Sequence, residues 1–446
     1  MGKALRAAAI TAGGALLAAT PVIAAVVAPT ASVSATAAFE TALRASVQDV
    51  YILTLSAPTC DDDCASTVTT HLTATGCDRV RVFPAVGMVA AHCAPAAVAA
   101  TAEATTTTTT HGRTGGVVDR LAALPGVSVV SPDGIASLPL PSTPSAAAAH
   151  GSYPRTRQGG SSKFWGLDRI NQFALPLDGV TNTTRCFPRR GKGVTIYVVD
   201  SGIAEKHAQF GNNGRVTSIV APGSMIPSPA DDFGHGSHVA GIAAGRTSGV
   251  APAATVVGIK VFGTLHGTIA DVVSAIDYVA AAKASKPAAK IILNASFGDG
   301  HTSAASWSAA ANRAADVGVL FITAARQDGG DLCVDNPGSA AGSLTVASSD
   351  MTDMRVPGSS NGSCVSVIAP GDSVLSVDAA TDAGLTVLSG TSMAAPHVAG
   401  LAALIMAEAP NGAEMREADV YQAISQGAPT VGGLPLAFVG PECTAA

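Results

Sequence analysis

Aromatic residues are scarce in this chain: two Trp, five Tyr and eleven Phe make up only 4% of its 446 residues. Hydrophobic residues still reach 47%, so any core must be built from Ala, Val, Ile and Leu on closely approaching elements. Charge is scarce as well. Lys and Arg number 26 against 32 Asp and Glu, a mildly acidic balance that gives no reason to expect nucleic acid as a partner. The eight cysteines include no Cys-x-x-Cys pair, and no two histidines stand at His-x-x-x-His spacing, which removes the common zinc patterns. Beyond residue 35 no apolar run is long enough to read as a membrane span.

What is present begins with a leader. Lys3 and Arg6 form a basic start, an Ala/Leu/Val/Ile run fills residues 7–27, and Val33-Ser34-Ala35 offers a small-residue cleavage site. Residues 1–35 therefore read as a secretory signal, so a secreted, extracellular location is expected. A small α/β segment follows over residues 39–140. Its expected strands are 50–55, 80–83, 87–91 and 127–131, with a helix over 117–124. An Ala/Thr run over 99–110 reads as an exposed low-complexity insertion. Cys60, Cys64, Cys77 and Cys93 all fall in this segment. An even number in one exported unit predicts two internal bridges, with three pairings open.

Residues 141–162 are rich in Pro, Ser, Ala and Gly and carry Arg155 and Arg157, the composition of an exposed, cleavable linker. From 163 to 446 strands and helices alternate, as in one α/β domain with a mostly parallel sheet and helices on both faces. The run Gly193-Val194-Thr195-Ile196-Tyr197-Val198-Val199 reads as a strand buried on both faces, and it delivers Asp200-Ser201-Gly202 at its carboxyl end. Further strands are expected at 255–261, 290–293 and 319–323, with a helix near 272–283. Gly-punctuated loops lead into small-residue helices at His235-Gly236-Ser237-His238-Val239-Ala240-Gly241 and at Ser389-Gly390-Thr391-Ser392-Met393-Ala394-Ala395-Pro396. In the second helix, taken to start at Met393, Pro396 falls in the first turn, where its missing N–H has no partner to lose.

Those loops hold the chemistry. Ser392 stands where a loop becomes a helix, among orphan N–H groups and the positive end of the helix dipole. On its own it reads as an N-cap serine. A hydroxyl needs a base to become a nucleophile. Asp200, His235 and Ser392 occur in the order Asp…His…Ser, which is that of subtilisin and not of chymotrypsin or the α/β-hydrolases. The Ser392 segment also lacks the Gly-x-Ser-x-Gly elbow, which disfavours a lipase. His238 could join His235, Asp231 or Asp232 on a metal, but the spacing favours a structural histidine, as for His207 and His397.

At these residues the chain resembles the subtilisin-like serine proteases, and within them the proteinase K-like branch. Asp200-Ser201-Gly202, the His235 segment and Gly390-Thr391-Ser392-Met393-Ala394-Ala395-Pro396 match the three family motifs, and Trp165-Gly166-Leu167-Asp168-Arg169-Ile170 resembles the start of the mature branch enzyme. The resemblance implies a serine endopeptidase in which His235 is the base, Asp200 orients it and Ser392 attacks. It makes the Ser392 N–H one oxyanion donor. It places substrate along Gly263, Leu265 and Gly267 and along Ser296, Phe297 and Gly298, with Ala324, Ala325 and Arg326 beside the primary pocket. Residues 39–140 become an inhibitory propeptide removed by self-cleavage. Polypeptides are the expected partners, with no membrane, no required cofactor and a monomeric state.

Two departures stand out. The family has Ala-Ala-Gly-Asn where this chain has Ala324-Ala325-Arg326-Gln327, so the second oxyanion donor becomes Gln327, one methylene longer. Arg326 in place of glycine is expected to narrow the pocket or bias it toward acidic residues. An impaired, polypeptide-binding protein is therefore the alternative reading. The branch's usual calcium-binding aspartate is matched by Ser366, which removes a principal ligand. The resemblance also joins Cys333 to Cys364, leaving Cys186 and Cys443 to tie the early mature segment to the C-terminus. Asn182 and Asn361 begin Asn-x-Ser/Thr triplets, glycosylation acceptors in form only.

Overall fold

The computed structural model describes residues 47–94, 117–138, 163–181, 186–211, 213–298, 305–334, 338–410 and 415–439, with Leu43 and Ala45. The expected leader, the Ala/Thr insertion, the linker, the Asn182 triplet and Cys443 lie outside these residues.

Val50–Leu55 (β1), Asp78–Phe83 (β2), Met88–His92 (β3) and Val127–Pro132 (β4) form an antiparallel sheet in the order β2-β3-β1-β4. Alternation sends Leu53, Leu55, Val89 and Ala91 to one face, against Leu72 and Leu121 of the helices Asp62–Ala74 (α1) and Val117–Ala122 (α2). The opposite face, Ile52, Met88 and Ala90, packs on the second unit. The sequence reading missed α1, whose Thr-rich run favours strands. A cap decides its start: Asp61 accepts from the Cys64 N–H at 2.9 Å. Of the three possible pairings, Cys60–Cys64 and Cys77–Cys93 form.

After Ile135–Ser137 (β5) and Trp165–Arg169 (α3), the second unit runs Val194–Asp200 (β6), Val216–Val220 (β7), His235–Ala244 (α4), Thr255–Lys260 (β8), His266–Thr268 (β9), Ile269–Ser285 (α5), Lys290–Ala295 (β10), Ala305–Asp316 (α6), Leu320–Ala324 (β11), Ser343–Ser349 (β12) and Val367–Pro370 (β13). Seven of these strands form one sheet in the order β13-β12-β11-β10-β6-β8-β7, and every ladder in it is parallel. The hairpin of Val374–Val377 (β14) and Leu385–Leu388 (β15) leads into Thr391–Glu408 (α7), and Glu417–Ser425 (α8) follows.

The sheet is covered on both faces, which explains its continuous β-branched strands. Ile196 and Val198 of β6 pack with Val239 of α4 and Val398, Leu401 and Leu404 of α7. Tyr197 and Val199 point the other way, toward Val272, Ile276 and Val279 of α5 and Trp307 of α6. Each such buried aliphatic side chain stabilises the fold by roughly 1.5–3 kcal/mol. Pro396 requires a correction. Because α7 starts at Thr391, Pro396 lies in the second turn, and it has no N–H for the Ser392 carbonyl.

Candidate active site

Parallel strands bring all their carboxyl ends to one edge, and the loops leaving that edge collect the groups of interest. There β6 ends on Asp200 and β8 on Lys260, β10 runs into Ser296-Phe297-Gly298, and β11 runs into Ala325-Arg326-Gln327. His235 opens α4, and Ser392 is the second residue of α7.

Asp200 and His235 meet. The Nδ1 atom of His235 lies 2.9 and 3.0 Å from the two Asp200 carboxylate oxygens, and both side chains are buried. Burial acts against an imidazolium, but the Asp200 charge and hydrogen bond outweigh it, and the His235 pKa is raised above its usual value. With Nδ1 donating to the carboxylate, Nε2 carries the lone pair. That atom is buried without a hydrogen-bond partner. Gly236 lets the two loops approach: a Cβ there would lie 2.3 Å from the Gly202 carbonyl oxygen. Asp231, considered above as a metal ligand, instead braces the turn. It accepts from the Gly234 N–H at 2.7 Å, the Ser201 hydroxyl at 2.8 Å and the Ser237 N–H at 2.8 Å.

Ser392 departs from the expected arrangement. Its hydroxyl donates to the Ser296 carbonyl at 2.6 Å rather than to His235. Its own N–H belongs to the first turn of α7, where no helical acceptor exists. Gln327 sits beside it, because a Cβ on Gly390 (φ 150°) would lie 2.6 Å from the Gln327 Oε1 atom. Gln327, Ser392 and Thr391 line one cavity together with Phe297, Gly298, Ala324, Ala325, Arg326 and Asp328. Arg326 does not present a lone positive charge there. It forms an ion pair with Asp328, which weakens the expected bias toward acidic side chains.

The cleft is filled by the chain itself. Strand β5 pairs antiparallel with β9, placing Ile135 opposite Thr268, Ala136 opposite Gly267 and Ser137 opposite His266. The Leu138 N–H then donates to the Leu265 carbonyl at 2.9 Å, and Ser137 bridges to Gly298 on its other side. Both segments expected to hold substrate thus hold residues 135–138, and Leu138 lines the Ser392 cavity. The first unit is anchored elsewhere too. Arg313 of α6 donates to the carbonyls of Leu55, Val86 and Gly87, and Asp277 of α5 accepts from the N–H groups of Ala85 and Val86. Arg81 pairs with Asp271 at 3.1 Å, and Asp133 accepts from the Ala270 N–H at the start of α5. Sequence reading missed these residues, since an isolated charge on a strand, in a loop or on an amphipathic helix carries no signal of what covers it.

Other expected roles are distributed as follows. His238 Nε2 meets the Thr386 carbonyl at 3.2 Å, and burial lowers its pKa to about 3. His397 Nδ1 meets the Met393 carbonyl at 2.8 Å, and burial lowers its pKa to about 4. His207 meets the Gly384 carbonyl. The Ser366 hydroxyl accepts from the Thr345 N–H at 3.1 Å. Cys333 and Cys364 are joined, and Cys186 is disulfide-bonded.

Comparison with known proteins bears on the family and the fold. The family model for the subtilase family matches residues 191–438. The chain is 41% identical to the alkaline serine exoprotease A of Vibrio alginolyticus, over 56% of this chain and 44% of that one. It is 38% identical to the extracellular serine proteinase of a Thermus species, over 54% of this chain and 56% of that one. The crystal structure of a cold-adapted subtilisin-like serine proteinase superposes with a TM-score of 0.54 at 32% identity, covering 63% of this chain and 99% of that one. The chain spans about half the length of the curated relatives it matches. The subtilase model covers more than half of the chain, and the chain belongs to the subtilase family.

Proposed function

We propose that the chain is a secreted serine endopeptidase, made as a zymogen, with Asp200, His235 and Ser392 as its triad. The observation that carries this reading is the buried Asp200–His235 pair, whose Nε2 has no hydrogen-bond partner, together with Ser392 in the first turn of α7. In the reaction, Ser392 Oγ leaves the Ser296 carbonyl, passes its proton to His235 Nε2 and attacks the scissile carbonyl carbon. The oxyanion takes the Ser392 N–H and the Gln327 amide. His235 returns the proton to the departing amine, leaving an acyl-enzyme that water hydrolyses by the same steps. Asp200 keeps Nδ1 protonated throughout. Substrate polypeptides pair with β9 and Gly298 as residues 135–138 do now, a main-chain mode that tolerates many side chains. That occupancy supports residues 39–140 as an intramolecular inhibitor. Export is supported by the basic, then apolar, N-terminal sequence and by the printed name of the Thermus relative.

A fluorophosphonate probe tests the reading. Self-cleaved wild-type chain should label at Ser392, and Ser392→Ala should abolish both labelling and self-cleavage. Wild-type protein that binds polypeptides but never labels would instead establish the second reading, an impaired subtilase. The Ser392–Ser296 hydrogen bond and the longer Gln327 side chain favour that alternative.

Gln327→Asn addresses the oxyanion donor directly. A misplacement of about an ångström can cost on the order of 100-fold, so shortening the side chain should raise kcat by up to about that factor. Steady-state peptide hydrolysis reads it, and an unchanged or lower kcat removes Gln327 from the oxyanion site.

A further inference from the structure

Lys260 is a buried cation that the mechanism above does not use. Its side chain is 1% exposed, and its ammonium has three acceptors: the Ser201 carbonyl at 2.6 Å, Asp232 Oδ1 at 2.6 Å and the Gly263 carbonyl at 3.0 Å. All three of its N–H donors are thereby used. Each acceptor belongs to a different working segment. Ser201 immediately follows Asp200, which stands opposite Lys260 in the β6–β8 ladder. Asp232 lies in the turn that ends at His235, beside the Asp231 brace. Gly263 opens the segment that turns back through its N–H bond to the His266 carbonyl and becomes β9, the strand on which residues 135–138 lie.

We infer that Lys260 is a positioning residue that sets the substrate-holding edge in register with the Asp200–His235 pair. The inference rests on the peptidase reading and assigns a role to a residue outside the triad. A buried ion pair is weak evidence for stability, because apolar side chains of similar volume often stabilise as well or better. Joining three loops through one rigid point is something an apolar side chain in β8 cannot do. Strain or closure imposed on β9 by a bound polypeptide reaches Asp200 and His235 through the Gly263 carbonyl, the ammonium and the Ser201 and Asp232 contacts. Binding energy from remote substrate residues then raises turnover rather than only tightening binding. A substrate too short to pair with β9 gains nothing from Lys260.

The test compares a short ester with a peptide substrate of four or more residues before the scissile bond, using self-cleaved chain counted by fluorophosphonate titration. Wild type should turn over the long substrate faster than the short one. Lys260→Met should lower kcat for the long substrate by about ten- to a hundredfold while leaving the short ester within about threefold. Asp232→Asn, at a half-exposed position, keeps the ammonium and loosens one anchor. It should show the same length-selective loss in smaller degree, and it carries the test if Lys260→Met does not fold. Equal losses on both substrates, or no loss on either, would overturn the role of Lys260. Wild-type protein that takes up no probe at Ser392 would overturn the peptidase reading itself, a result distinct from either.

Discussion

Asp200→Asn is expected to slow self-cleavage of the full chain, and peptide hydrolysis per molecule, by about four orders of magnitude. The substitution is nearly isosteric at a fully buried site, and an amide oxygen can still accept the Ser201 N–H bond, now 2.7 Å long. What changes is the imidazole. A carboxylate only accepts, so it holds the proton on Nδ1. An asparagine amide can donate, which favours the opposite tautomer and places the proton on Nε2, where the base must be empty. Unprocessed precursor should accumulate with an unchanged melting temperature. A variant that processes within tenfold of wild type would show that the Asp200–His235 contact is structural and that the proton leaves Ser392 by another route.

If residues 39–140 are released by self-cleavage as proposed, the second large effect is on the hold between the two units. Burial, opposed by the Ala270 and Gly134 N–H groups, raises Asp133 to about 7, with Asp271 and Arg81 as its charged neighbours. Burial, opposed by the Val86 and Ala85 N–H groups, raises Asp277 to about 6. Both carboxyls return to ordinary values near 4 once the partners separate. The complex therefore holds protons that the separated units release. Its affinity is greatest below about pH 4 and falls as pH rises, by up to about tenfold per unit for each carboxyl, until about pH 6 for Asp277 and about pH 7 for Asp133. Between pH 5 and pH 7 the self-cleaved complex should weaken by roughly two to three orders of magnitude. Peptidase activity released at fixed concentration across this range measures it. Asp277→Asn should remove about one proton from the dependence. Equal release at both pH values, or tighter association at pH 7, would contradict the assignment.

Much of the architecture was legible in the sequence because burial on both faces leaves little choice of residue. The β-branched run of β6 and the aliphatic spacing of α5 state their environments directly. The central strands of the first unit were visible for the same reason, since β1 and β3 are covered by α1 and α2 on one face and by the second unit on the other. Helix α1 was hidden, because its Thr-rich composition argues against a helix and only the Asp61 cap and the Leu72 contact override it. The start of α7 was misjudged by two residues, which moved Pro396 into the second turn, because a Gly-Thr-Ser run carries no helical preference that marks a boundary.

The proposed reacting groups were named from the sequence, by motif order and family resemblance: a carboxylate at the end of a strand, and an imidazole and a hydroxyl each at the start of a helix. Tertiary structure decided everything that depends on segments far apart in the chain. It set the Asp200–His235 distance, turned the Ser392 hydroxyl toward Ser296, neutralised Arg326 with Asp328, laid residues 135–138 along β9 and gathered three loops on Lys260. The physical reason is range. Periodicity, capping and turn chemistry act within a few residues, whereas hydrogen bonds and charge pairs across a cleft form only once the parallel sheet has brought its strand ends to one edge.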